Sequence, residues 1–376
     1  MLGCLSYGML ALVLVKLLFG RLADFSVGVI VLKYAYHWLL VACLGFGSVV
    51  HADVLIFGRS EEGGRGVEIG LRAGVIHDFN AVVQETTRRL YDVMGEDWKQ
   101  DRANTFAMED FNVSGAHPAI GLGFQRSGRF LTFLVDANYF AISSDAVARR
   151  DYYLNHVGSL EYEGITYKNM VILEGEAFSF DVNAAALEFR FQITPFTLQP
   201  VRGVRIVPFL DAGIFGFAGR YDIDAGESRG VIQYQNPIED FVVGGRATGM
   251  SGMGLPEYGG GIEIRAGQPD TAQLVLHTHY VICRYNGSTS YLTSSRHRDK
   301  NLDIDHHNVR VRLYGEFPLR SGRSWMLGGQ FQQIRSDGLI ESSATDIEEI
   351  IARRERFDKE FSFRMTMFNA MLGVRF

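Results

Sequence analysis

Histidine and carboxylate are the residues of this chain best placed to do chemistry. His277 and His279 lie two apart, so on a strand both side chains leave one face. Set against Asp211 or Glu263 of nearby segments, they could bind a metal or move a proton. The plainer reading is a hydrogen-bonded pair without chemistry. A second cluster runs Asp303-Ile304-Asp305-His306-His307. No nucleophile elbow, phosphate loop or cofactor fingerprint occurs, so neither a cofactor nor a metal is expected.

Composition narrows what could position these groups. The 376 residues hold 42 Gly, 27 Phe, 16 Tyr and 3 Trp against 8 Pro, with 21% charged and 47% hydrophobic residues. Much of the apolar weight sits in the first 50 residues or in short alternating runs, which argues against a helical bundle or a doubly wound α/β enzyme. The net charge of −6 gives no support to a nucleic-acid partner. The cysteines are Cys4, Cys43 and Cys283; with the N-terminus removed only Cys283 remains, so no intrachain disulfide forms.

The N-terminus reads as an address. Lys33 precedes an apolar core, Trp38–Val50, and Val49-Val50-His51-Ala52 offers a small-residue site with cleavage after Ala52. A start at Val31 or Leu32 would leave a leader of ordinary length. Leu40-Val41-Ala42-Cys43 offers a lipoprotein box as the competing reading. The expected domains are a leader over 1–52, a periplasmic lead-in over 53–66 and a barrel over 67–376.

The mature chain alternates apolar and polar residues with period two, the signature of strands with two unlike faces. Ten such runs occur: 67–76, 116–126, 129–141, 177–193, 204–216, 258–267, 272–284, 308–318, 324–334 and 363–376. The gaps between them are 39, 2, 35, 10, 41, 4, 23, 5 and 28 residues, so long and short alternate strictly. Antiparallel up-and-down strands put alternate connections at opposite ends. Short turns on one side and long loops on the other predict an all-β transmembrane up-and-down antiparallel β-barrel in the bacterial outer membrane. Ten strands are expected, or twelve if a hairpin over 160–175 joins the wall. In lipid every backbone donor and acceptor must be paired, which a closed barrel achieves without edges.

The last strand carries a resemblance. Phe368, Ala370, Leu372, Val374 and Phe376 place apolar residues at every second position up to a terminal aromatic. This resembles the closing strand of bacterial outer-membrane barrels, and the resemblance implies recognition by the barrel assembly machinery. It also implies contact with outer-membrane lipid and lipopolysaccharide. Within that class, ten-stranded omptin proteases place an Asp and a His in an outer loop and paired aspartates in an earlier one. Asp305 and His307 resemble the first half and are the candidate catalytic residues; the second loop offers only Asp145 and Asp151, without the paired spacing.

The polar face of the runs is expected to line the lumen, and the apolar face to meet lipid. The lumen set is Glu68, Arg72, Asp136, Asn138, Glu188, Arg190, Arg205, Asp211, Glu263, Arg265, His277, His279, Arg310, Arg312, Glu316, Gln330 and Gln332. Acid and Arg interleave, and the planar guanidinium fork suits carboxylates on neighbouring strands. Such a set forms either a polar plug or a selectivity constriction. The five long loops hold 18 basic and 31 acidic residues. Helices are expected near 81–95 and, behind a Thr345–Glu348 capping box, near 346–360. These features favour a structural or ligand-recognising barrel that acts through its loops and is not an enzyme. A narrow passive channel is the alternative, and an omptin-like hydrolase the second alternative; the surface ligand is unnamed by the sequence.

Overall fold

The wall of the molecule is a single antiparallel sheet that returns on itself. The computed structural model describes residues 54–59, 66–86, 115–154, 160–167, 169–233, 240–268, 270–288, 301–319, 322–341 and 358–376. In chain order these form β1 (Val54–Phe57), β2 (Gly66–Thr86), β3 (His117–Ser127), β4 (Leu131–Val147), β5 (Tyr152–Leu154) and β6 (Leu160–Tyr162). There follow β7 (Ile165–Tyr167), β8 (Met170–Ile172), β9 (Ala177–Ile193), β10 (Phe196–Val201), β11 (Val204–Asp224) and β12 (Gly230–Gln233). The last six are β13 (Asp240–Val243), β14 (Arg246–Ala266), β15 (Gln273–Ser288), β16 (Asn301–Pro318), β17 (Ser324–Glu341) and β18 (Asp358–Arg375).

The long strands pair in the order β2-β3-β4-β9-β11-β14-β15-β16-β17-β18, and β18 pairs back onto β2. The ring is thus all-β and antiparallel, as expected. It leaves no edge among these strands, so their backbone donors and acceptors are paired within the wall. The sheet reaches twelve strands because β10 pairs with the foot of β11, and β1 pairs with β10. The hairpin at 160–175 does not supply the extra wall strands. Leu160–Tyr162 and Ile165–Tyr167 form a separate two-stranded sheet, while β8 joins β5, β13 and β12 in a four-stranded one.

Several strands run past the expected boundaries, and the long connections shorten accordingly. Residues 81–86, expected in a helix, belong to β2: Val82 and Val83 pair with Ser362 and Phe361 of β18. The β-branched Val82, Val83 and Thr86 suit a strand better than a helix. Residues 358–360 at the end of the second expected helix are likewise strand. The remainder of both expected helices, the leader and the Ala52 cleavage site lie outside the described residues.

Candidate functional site

Along the wall, which face is apolar depends on height. On β9 the outward residues near the short turns are Leu187, Phe189, Phe191 and Ile193, with Glu188, Arg190 and Gln192 inside. Higher on the same strand the pattern inverts: Phe178, Phe180, Val182 and Ala184 point inward, while Ser179, Asp181 and Asn183 point outward. β4 changes likewise, from Leu131, Phe133, Val135, Ala137 and Tyr139 outside to Phe140 and Ile142 inside. β16 carries Asp303, Asp305 and His307 outward above Val309, Val311, Leu313 and Phe317. The barrel therefore has an outer apolar belt at the short-turn end and a conventional apolar core at the long-connection end.

The belt is nine residues tall on three strands: Leu131–Tyr139, Val309–Phe317 and Phe368–Phe376. That is the length a tilted strand needs to cross a hydrocarbon layer. Its residues stand open, Leu71 at 62%, Ile120 at 61% and Leu327 at 59% exposure, a liability that only an apolar surrounding relieves. The upper edge carries tyrosines whose hydroxyls reach polar neighbours above. Tyr139 Oη donates to Asn183 Oδ1 at 2.9 Å, and Tyr280 Oη bonds His307 Nδ1 at 2.5 Å.

Inside the belt lies an ion-pair network. The structure places Glu68, Arg72, Asp136, Glu188, Arg190, Arg205, Asp211, Glu263, Arg265, His277, His279, Arg310, Arg312 and Glu316 inside the ring, none more than 8% exposed. Asp136 is the hub: Arg72 donates to its Oδ1 at 2.6 Å, while Arg312, at 2.5 Å, and Arg310 both donate to its Oδ2. Arg310 also holds Glu188 at 2.5 Å, and Arg190 links Glu188 at 2.7 Å to Glu257 at 2.6 Å. Nearer the short turns, Glu316 accepts from Arg265 at 2.8 Å and Arg375 at 2.6 Å, and Arg375 continues to Glu68. Inward glycines make the room: a Cβ on Gly121 would stand 2.4 Å from Asn138 Oδ1, and one on Gly123 2.8 Å from Asp136 Oδ1.

Among the described residues the buried interior holds eight arginines, seven carboxylates and no lysine. Arg59, Glu257 and Arg375 were missing from the sequence expectation. Arg59 follows β1 in the lead-in and enters from the short-turn mouth, donating to both oxygens of Glu263 at 2.9 and 3.0 Å. Its backbone donates to Arg129 O, and Gly58 N to Pro195 O, so the chain crosses beneath the wall before turning in. Nothing in the spacing of a lead-in could have signalled this. Glu257 could have been found, since it sits an even number of residues from Glu263 on one strand.

The histidine expectations divide. His277 stacks on Phe209 with ring centroids 4.9 Å apart, and its nitrogens have no hydrogen-bond partner among the described residues. His279 Nδ1 stands 3.4 Å from Asp211, and Glu263 is the cross-strand partner of His277. Among the described residues, no three His, Cys, Asp or Glu side chains group so as to hold a metal ion. The Asp303–His307 cluster lies on β16 and not in a loop, so its members alternate. His306 points inward, where it bonds Glu257 at 2.7 Å and Ser336, and stacks on Phe215. Asp305 and His307 point outward; they meet at 3.1 Å, and Arg284 donates to Asp305 at 3.0 Å. Asp151 accepts from Glu174 N, and Asp145 pairs across strands with Ser179. No described contact joins either aspartate to Asp305 or His307.

Above the network the interior is apolar. Phe79 touches Phe140 and Phe363, and Phe217 touches Phe363, with centroids 4.7 to 6.0 Å apart. Ile76, Ile142, Phe215, Ile334, Met365 and Met367 complete the layer, and Tyr152, Leu154, Met170 and Ile172 of the small sheet belong to the same cluster. The expectation of a polar lumen throughout is therefore corrected. Above the belt the outside is polar, so the apolar side of each strand must turn inward.

A closed antiparallel barrel with an apolar outer belt and a charged interior is the architecture of bacterial outer-membrane β-barrel proteins. No family model and no curated protein matches the sequence. Solved structures similar to it include the outer membrane protease OmpT from Escherichia coli, at 8% identity and TM-score 0.35, covering 84% of this chain and 98% of that one. The beta domain of the Bordetella autotransporter BrkA gives 10% identity and TM-score 0.27, covering 82% and 98%. The P. putida toluene transporter TodX gives 8% identity and TM-score 0.16, covering 82% and 89%. Likenesses this distant transfer no activity to the chain.

Proposed function

We propose that this chain is an integral outer-membrane barrel that serves the envelope as a structural and recognition element, with its lumen filled. The observation that carries this reading is the two-layered interior: a buried ion network behind the apolar belt, capped by an aromatic core. A passive pore needs a continuous polar path, and Phe79, Phe140, Phe217 and Phe363 lie across it. Recognition falls to the long-connection side, whose sequence is strongly acidic.

Two partners follow from the membrane reading. Outer-leaflet lipid and lipopolysaccharide surround the belt, and the outward residues Phe368, Ala370, Leu372 and Val374 of β18, with Phe376 directly after it, present the assembly signal before the strand closes onto β2. The hydrolase alternative gains little, because Asp305 and His307 face outward and are tied to Arg284 and Tyr280. Planar-bilayer recording tests the proposal. A filled lumen gives silent membranes, whereas steady stepwise conductance from purified, folded protein would refute it.

A further inference from the structure

The short-turn end of the belt has its own chemistry. Arg126 and Arg129 flank the β3–β4 turn, Arg202 sits in the β10–β11 turn, and Arg323 precedes β17; all four are exposed. Asp270 is the one exposed Asp or Glu among the described residues of these turns. Two of the guanidinium groups lie against aromatic rings at the belt edge: Arg129 over Phe130 and Arg323 over Phe376, each 5.2 Å from the centroid. Phe130, Val201, Leu319, Trp325 and Phe376 stand 42 to 56% exposed beside them.

Stacking holds the cation at the level where an acyl chain meets its headgroup, and arginine offers a planar fork that a phosphate accepts in bidentate fashion. Acyl chains would lie on the belt and phosphates on the rim above each chain. From this juxtaposition we infer that the short-turn rim binds the phosphate of net-anionic glycerophospholipids in the leaflet facing that end. The inference rests on the membrane-spanning reading above and adds the lipid class and the residues. It also supplies an orientation device: arginine at one rim and acid at the other fix which leaflet each end prefers.

The test reconstitutes the full mature chain into vesicles of equal phosphatidylglycerol and phosphatidylcholine, then identifies retained lipid by native mass spectrometry. Phosphatidylglycerol should be retained in clear excess. Arg126→Gln, Arg202→Gln and Arg323→Gln should each weaken that excess, roughly fivefold per arginine. Unheated and heated gel mobility reports folding of the three single variants and of a triple variant that combines them; if the triple variant fails to fold, the single variants carry the comparison. Equal retention of both lipids by the wild type, or undiminished preference in the variants, overturns the site. Loss of bound lipid to excess inorganic phosphate would mark a free-phosphate site and overturn it too. A protein that enters no vesicle of either lipid overturns the membrane reading, and the site with it.

Discussion

The two layers of the barrel interior solve one packing problem by different means. Behind the belt, where lipid would take the apolar side chains, the inward positions are filled by arginine and carboxylate drawn from strands far apart in sequence; Arg310 and Asp136, for instance, are 174 residues apart. Above the belt, where the outside is polar, Phe79, Phe217 and Phe363 pack as they would in any soluble core. The lower layer is specific, since each carboxylate needs its own guanidinium partners. The upper layer asks only for volume and apolarity. Solvent on the outer wall decides what the inner wall must be.

That contrast can be broken from either side. Asp136→Ala should have the largest effect, because it leaves Arg72, Arg310 and Arg312 buried around a missing charge. A loss of about 4 kcal/mol is expected, read as a lower urea midpoint in detergent; an unchanged midpoint would mean the network is wetter than described. Phe363→Ala should cost about 3 kcal/mol through the cavity it leaves among Phe79, Phe215 and Phe217. Unlike Asp136→Ala, it should be largely rescued by Phe363→Leu, and failure of that rescue would show the upper layer to be as particular as the lower.

Arg59→Met should cost roughly 2 kcal/mol, less than the hub, because Glu263 keeps Arg265 at 2.7 Å. Protease protection of the N-terminal segment should fall with it; full protection would mean β1 is held by its pairing to β10 alone. The smallest effect belongs to Tyr280→Phe at the belt edge, about 0.5 kcal/mol, since the hydroxyl and His307 both retain access to water. A large destabilisation there would place the Tyr280–His307–Asp305 chain inside a buried environment.

Much of the ring was legible because period-two alternation and alternating connection lengths are local properties of the sequence. The seventeen expected lumen residues are all buried, on the strand face opposite the apolar belt, because alternation alone puts them there. The misplaced faces share one cause. A single face was assumed to stay apolar along each strand, whereas on β9 the phase inverts between Ala184 and Leu187. That inversion is visible as apolar residues at 178, 180, 182 and 184 followed by 187, 189, 191 and 193. Tracking the phase would have assigned His306 to the interior and Asp305 with His307 to the outside, instead of all three to a loop. Arg59 stays beyond such reasoning: its burial depends on where β1 pairs, and four residues of strand carry no register signal.

The central claim is that one strand crosses from lipid-facing to water-facing surroundings while its inner face stays dry. Spin labels placed singly along Leu131–Asp145 of β4, in a Cys283→Ser background and a lipid bilayer, test it most directly. Labels at 131, 133, 135, 137 and 139 should collide with oxygen and not with a water-soluble nickel complex, and labels at 143 and 145 with the nickel complex. Those at 134, 136, 138, 140 and 142 should be shielded from both. Nickel access at 136 and 138 would reveal a water-filled lumen, and the loss of alternation along the strand would contradict the barrel itself.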